Sequence, residues 1–583
     1  MTHAPKLPPE PRSTWPRKLL IAICAPVVFF VIAEIVLALG GVKISRYVGT
    51  GGVANYWIPY PEKGPVEGYN RVFPRGYKIY PEKLPLFVKD KPANGFRVFC
   101  LGESSVQGLP FEIGCFADWL RLKLTLMLPD RAVEVVNAGN NGWYAKEIRV
   151  LLNECIEQKA DLLIWMVGHN EMVPQNVLAI RNEIQRPWIY TIKTELQHLR
   201  TFEFLSRALP SVTGKTRITL HDRKEADGRP CYNADELELI KNRFHNETDG
   251  AMADAKKANV PVIMMTPPKN VRQFPPSGSY FSDAVLASKE LKDRWTEWYE
   301  KGAAALDQTK DYDLAIQYFS EAAKIDNSPA KLHFGLTRAH EARGNAVAAR
   351  EGYIKAYTQD FCPMRAQPWA SDSVREISKK HDLPLVDLEL IFNNAGSLQL
   401  AGNEYITDNV HPNLTGHELI ANELLGVMER KLRLPLDHTK DLPRDICRER
   451  IGINAIDQYE TLKSECNANA RLVIGSGNVD EQWKRAYDLT VKVLNIKKTD
   501  WEIMALQGVL EAMNGKAGVG KELIERAMSN DEYVLITYLL QYHYEPPFTR
   551  VMAAANVDIQ RFEAGLSPQL KTVYKNRESR IKK

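Results

Sequence analysis

The residues able to do chemistry lie in four short stretches. In "RVFCLGESSVQG", residues 97–108, an apolar strand-like run breaks at Gly102 into Glu103 and two adjacent serines, Ser104 and Ser105. Gly and Ser are ordinary turn residues, but the carboxyl edge of a sheet is also where a serine nucleophile is held. A hydroxyl is weak until a base takes its proton. "TDNVHPNLTGHEL" offers that base, with Asp408 and His411 three residues apart in a loop just before a helix. A carboxylate bonded to one ring nitrogen fixes the tautomer and leaves the other nitrogen to face the serine. Alone, a D-x-x-H spacing is more often a helix-entry turn with a surface histidine. "GHNE" adds Asn170, whose amide can donate to a developing oxyanion, and "NAGNNG" adds Gly139, a backbone N–H with no Cβ in the way.

The elements that must position these groups alternate in type. Apolar runs at 96–102, 133–139, 161–168, 260–268 and 383–388 are separated by helical patterns at 115–128, 144–158 and, last, 414 to about 432. Near-continuous apolar strands alternating with helices predict a parallel sheet covered on both faces, an α/β fold. In such sheets ligands bind beyond the carboxyl ends where the strand order reverses, commonly between the first and third strands. Ser104 follows the first strand and Asn170 the third, so the two are expected to face each other across one crevice.

"GESS", "NAGNNG", "GHNE" and "DNVHP", in this order on these elements, resemble blocks I, II, III and V of the SGNH (GDSL-type) hydrolase family. The resemblance covers residues 95–170 and 250–432 and implies a five-stranded, flavodoxin-like three-layer sandwich. It implies Ser104 as nucleophile, His411 as general base and then acid, Asp408 as its orienter, and Ser104 N–H, Gly139 and Asn170 as the oxyanion hole. The chemistry implied is cleavage or transfer of an acyl group through an acyl-serine, with no metal and no cofactor. The chain departs from the family pattern at Glu103, where Asp is usual, and at Ser105, where an apolar residue is usual; the second departure leaves both serines as candidates. His169 and His417 read as structural, and Trp143 and Tyr144 as either pocket lining or core.

The rest of the chain surrounds this hydrolase domain, expected over 96–432. Residues 19–41 are apolar apart from Glu34 and long enough to cross a bilayer. Lys6, Arg12, Arg17 and Lys18 before them place the N-terminus, 1–18, in the cytoplasm and the remainder on the periplasmic or extracellular side. A Tyr- and Pro-rich connector follows at 42–95. Two insertions interrupt the domain, a helical arm at 171–245 and a segment at 295–358. In the latter, Ala315, Phe319 and Ala322 recur as Ala349, Tyr353 and Ala356, similar to tetratricopeptide repeats. Residues 440–583 are again helical in pattern. Absence of C-x-x-C removes metal and thioredoxin-like readings; Cys100, Cys115 and Cys155 read as packed thiols, and Cys447 with Cys466 as a possible bridge. A formal charge of +4 spread over 583 residues supplies no basic face for nucleic acid.

Three functions fit these readings: a membrane-anchored serine esterase of the cell envelope, an acyltransferase or deacetylase acting on a surface polysaccharide, and a helical-repeat scaffold that binds a protein partner. The first two take an ester substrate, which is a small molecule, a lipid or an acylated glycan.

Overall fold

The computed structural model describes residues 28–37, 39–40, 57–59, 69–72, 86–88, 90–111, 113–172, 201, 234–360, 363–453, 459, 462–463, 465–467, 469–470, 473–474 and 481–581. The chain divides into two compact units, one of residues 1–56 with 178–219 and one of residues 57–177 with 220–583.

In the second unit, β1 (Trp57–Pro59), β2 (Tyr69–Val72) and β3 (Leu86–Val88) form a small antiparallel sheet within the stretch expected as a connector. The main sheet holds β4 (Gly95–Gly102), β5 (Ala132–Gly139), β6 (Leu162–Met166), β7 (Val262–Met265) and β8 (Leu385–Val386), in the order β5-β4-β6-β7-β8. All neighbours are parallel. The order reverses at β4, so the expected crevice lies past its carboxyl end.

Side chains alternate across each strand. Val98, Cys100, Leu162, Ile164 and Ile263 join helices Phe116–Met127 and Leu414–Leu432 in one core. Phe99, Leu101, Leu163 and Trp165 are equally buried on the other face, against which helices Ala145–Glu157 and Pro368–His381 pack, each also packed on helix Ala234–Lys257. The first core continues to Cys447 and Ile453, past the expected boundary at 440.

β7 and β8 are shorter than the apolar runs that contain them. Pro267 and Pro268 follow β7 and supply no N–H to a ladder. After β8, Asp387 caps helix Leu388–Ala395 by accepting the Leu390 N–H, turning the chain out of the sheet.

The insertion forms four helices, Lys289–Ala304, Tyr312–Ile325, Ala330–Ala342 and Ala346–Thr358, each packed on the next. Phe319 is 1% exposed. A Cβ at Gly302 or at Gly335 would come within 2.8 Å of its ring. Beyond residue 480 the chain is helical, and Ile503, Val509, Ile524 and Leu539 share a separate core with Cys466. The bridge considered between Cys447 and Cys466 is absent: both are free, each in the interior of a different core. Cys100, Cys115 and Cys155 are buried free thiols.

In the first unit, residues 28–37 are helical, and Glu34 accepts the Thr201 N–H at 2.9 Å and its hydroxyl at 3.1 Å. Among the described residues no helix is long and apolar enough to cross a membrane. Residues 19–27 and most of the expected arm, including Trp188, Tyr190, Phe202 and Phe204, lie outside the described residues.

Replacing Phe319 with Ala removes the ring that fills the space left by two glycines, and a cost of about 3–5 kcal/mol is expected. Chemical denaturation of the full chain checks it; an unchanged midpoint for the insertion's transition would contradict this packing.

Candidate active site

The ends of β4, β5 and β6 are level, because Gly102 pairs with Gly139 on one side and with Met166 on the other. Both glycines are required by close approach. A Cβ at Gly102 would lie 2.2 Å from the Met166 carbonyl, and one at Gly139 would lie 2.1 Å from the Gln107 backbone nitrogen. The turn after β4 is thus wedged between its neighbours. There the chain enters the helical turn Ser104–Gln107, with Ser104 as its first residue. A first-turn N–H has no partner within its own helix, and the Ser104 amide stands at that position.

The base arrives from the far end of the sequence. Asn413 caps helix Leu414–Leu432 through the Gly416 N–H, and the residues before it form a tight loop closed by the bond from Thr407 N–H to the His411 carbonyl, 2.7 Å. Asp408 sits inside that loop. Its Oδ1 accepts the N–H groups of Val410 and His411 at 2.9 Å each, and its Oδ2 lies 2.6 Å from His411 Nδ1. Burial alone would raise the Asp408 pKa, but the adjacent His411 ring and these hydrogen bonds hold it below the ordinary carboxylate value. The ionised carboxylate therefore fixes the proton on Nδ1 and leaves Nε2 as acceptor. His411 Nε2 is 2.7 Å from Ser104 Oγ.

The two serine hydroxyls have different partners. Ser105 Oγ donates to the Val410 carbonyl at 3.1 Å and is buried, so it ties the serine turn to the histidine loop. Ser104 is the one facing the imidazole.

The proposed donors divide. Asn170 Nδ2 donates to the Trp143 carbonyl at 2.8 Å, which uses one of the two hydrogens an amide carries and aims the group over the loop after β5. Gly139 differs from expectation: its N–H donates to Asn137 Oδ1 at 3.0 Å and is already satisfied within the strand end. Its part in the site is the close approach to the serine turn. Tyr144 is buried with the Arg243 guanidinium over its ring, and Trp143 is half-buried.

Four further residues support the site, of which Asn270 lies outside every motif. Asn270 holds the histidine loop from behind, its Nδ2 donating to the Asp408 carbonyl at 3.0 Å and its N–H to the Asn409 carbonyl at 2.9 Å. His169 Nδ1 accepts the Ala366 N–H at 3.2 Å, and burial keeps its ring neutral, with pKa well below the ordinary value. Glu103 and Glu171 are buried carboxyls. Burial pushes Glu103 up to about 7 against the lowering effect of the backbone N–H groups it accepts. Burial, and then the Glu103 charge, push Glu171 up to about 8. His417 fits its structural reading: it is fully buried, stacked on Phe116, and its pKa is pushed down to about 3 by burial. Among the described residues, no group of three or more His, Cys, Asp or Glu side chains is placed to hold a metal ion.

No family model and no curated protein matches the chain. Among solved structures it is similar to an acetylxylan esterase from Geobacillus stearothermophilus, solved as a catalytic mutant. Identity is 13% over 58% of this chain and 95% of that one, with a TM-score of 0.26. It is also similar to a GDSL-like lipase from Bacteroides thetaiotaomicron at 11% identity, over 57% of this chain and 88% of that one, TM-score 0.25.

The two buried glutamates give a pH signature. The folded state keeps their protons above the ordinary value of 4.5, so it binds more protons than the unfolded chain and stability falls as pH rises toward about 8. His169, His333, His340 and His417, lowered from 6.5, act oppositely below that value, while Glu147, pushed up to about 7 by burial, adds to the downward slope between pH 6.5 and 8. Thermal scans across this window are expected to slope downward in the wild type and less so in Glu171→Gln; parallel curves would count against the assignment.

Proposed function

We propose that the chain is a serine ester hydrolase of the SGNH (GDSL) type, acting on an O-acyl ester through an acyl-serine. The observation that carries this reading is the continuous line of hydrogen bonds from Asp408 Oδ2 through His411 to Ser104 Oγ, at 2.6 and 2.7 Å. In the first step Ser104 Oγ attacks the ester carbonyl carbon while its proton passes to His411 Nε2. The imidazolium is stabilised by Asp408, which remains ionised. The carbonyl oxygen becomes an oxyanion that accepts from the Ser104 N–H and the Asn170 amide. Collapse expels the alcohol, which takes the proton from His411, and leaves acyl-Ser104. Water then attacks that ester with His411 again as base, restoring the hydroxyl and releasing the acid.

The proposal extends to location and acceptor. Apolar side chains of the helix at 28–37 stand exposed, among them Phe29 at 67% and Val36 at 59%. Such a surface suits lipid and is costly in water, which supports residues 19–41 as a membrane anchor with the catalytic domain on the periplasmic or extracellular side. A substrate held on the cell surface follows from that placement. A sugar hydroxyl can resolve the acyl-serine as water does, and transfer to or from a polysaccharide is the alternative outcome of the same chemistry. The helices of residues 289–358, with small residues facing Phe319, are proposed as tetratricopeptide-like repeats available to a protein partner.

Replacing Ser104 with Ala is expected to lower hydrolysis of short acyl esters by about 10⁴- to 10⁶-fold and to abolish labelling by a fluorophosphonate. Unchanged hydrolysis would remove the acyl-serine reading. Product analysis with a glycan acceptor present separates hydrolysis from transfer.

A further inference from the structure

Three successive backbone N–H groups point at one buried carboxylate beside the proposed nucleophile. Glu103 is 1% exposed. Its Oε1 accepts the Gly168 N–H at 2.9 Å and the Asn170 N–H at 3.3 Å, and its Oε2 accepts the His169 N–H at 2.9 Å. Gly168 has φ +132°, a conformation L side chains rarely adopt, which turns the chain leaving β6 so that these amides converge. The same short turn is fastened on its other side. Asn170 Nδ2 reaches the Trp143 carbonyl, and Glu171, also 1% exposed, accepts the Ala145 N–H at 2.8 Å at the start of the helix after β5. Residues 168–171 are therefore pinned between the turn that carries Ser104 and the loop that follows Gly139.

Two buried carboxyls are an expensive way to join loops, since apolar groups of similar volume are often neutral or better for stability. What the carboxylate supplies beyond adhesion is direction: it can orient three amides at once, and with them the side chain that the third amide carries. We propose that Glu103, backed by Glu171, is a positioning residue for the oxyanion hole, setting the Asn170 amide at the distance from the Ser104 N–H that one oxyanion oxygen requires. This rests on the acyl-serine reading and adds to it the residue that spaces its two donors. The carboxylate touches no reacting atom. One methylene less, as in aspartate, shortens its reach toward three amides that begin on another strand.

The test uses the full chain with Glu103→Gln, Glu103→Asp and Glu171→Leu, with Ser104→Ala as reference, reading kcat, KM and melting temperature on a short acyl ester. In Glu103→Gln the new amide group meets the His169 N–H donor to donor, and misplacement of a catalytic group by about 1 Å costs about 10²-fold. The expected result is a kcat lowered by about that factor, KM within about threefold, and partial recovery in Glu103→Asp, all measured well below each variant's melting temperature. A merely structural clamp would lower the melting temperature and leave kcat in place. A kcat within threefold of wild type in folded Glu103→Gln overturns the proposal. Should Glu103→Gln not fold, Glu171→Leu decides, since it has similar volume but offers no acceptor to the Ala145 N–H: a kcat reduction supports the proposal and a wild-type kcat overturns it. Activity that survives in Ser104→Ala instead removes the acyl-serine reading itself.

Discussion

The bond between Ser104 and His411 spans 307 positions of sequence in 2.7 Å, and almost everything near it exists to keep that separation. One end is held by strand register: Gly102, Gly139 and Met166 are level, and two glycines let the serine turn press against both neighbours. The other end is held by polar groups. Asp408 accepts three hydrogen bonds from the loop it belongs to, and Asn270, arriving from β7, grips the carbonyls of Asp408 and Asn409. Ser105 then ties the two ends together through the Val410 carbonyl. A hydrogen bond between charged or polarised partners is worth most when neither has to be ordered at the moment of use, and here both are ordered in advance.

The helical insertion takes part in this arrangement. The segment that returns from it to the sheet passes directly behind the site. Met364 gives its carbonyl to the Asn409 side chain, the Arg365 guanidinium donates to the Asn270 carbonyl, and the Ala366 N–H goes to His169. Higher up, Arg272 pairs with Glu341 of helix Ala330–Ala342 at 2.6 Å, and Glu341 also receives the Tyr353 hydroxyl. The base loop and the insertion thus share Asn270 and Arg272, which lie only two residues apart on one connection. A change in the packing of the insertion has a short physical route to Asp408, through neighbours that hold discrete hydrogen bonds.

How much of this was legible depends on the range of the interaction. The strands β4, β5 and β6 were readable because continuous apolar runs report burial on both faces. The brevity of β8 was not, since "LPLVDL" has strand composition throughout and only the cap at Asp387 ends it. Nor was the extension of the first core to Ile453, or the separation of Cys447 from Cys466, because an apolar residue does not declare which interior it enters.

At the site, the sequence by itself determined the inventory. A serine after a buried strand, an Asp and a His on one loop, and Asn and Gly at two other strand ends are local facts, set by residue type and by periods of two and 3.6 that need no knowledge of the fold. Only the tertiary structure set the Ser104 hydroxyl against the imidazole and the Ser105 hydroxyl against the Val410 carbonyl, bound the Gly139 N–H to Asn137, and brought Glu103, Asn270 and Ala366 to the groups they hold. The reason is that a hydrogen bond depends on distance and direction within a few tenths of an ångström, and across hundreds of residues those are products of strand register and packing, which no short stretch of the chain contains.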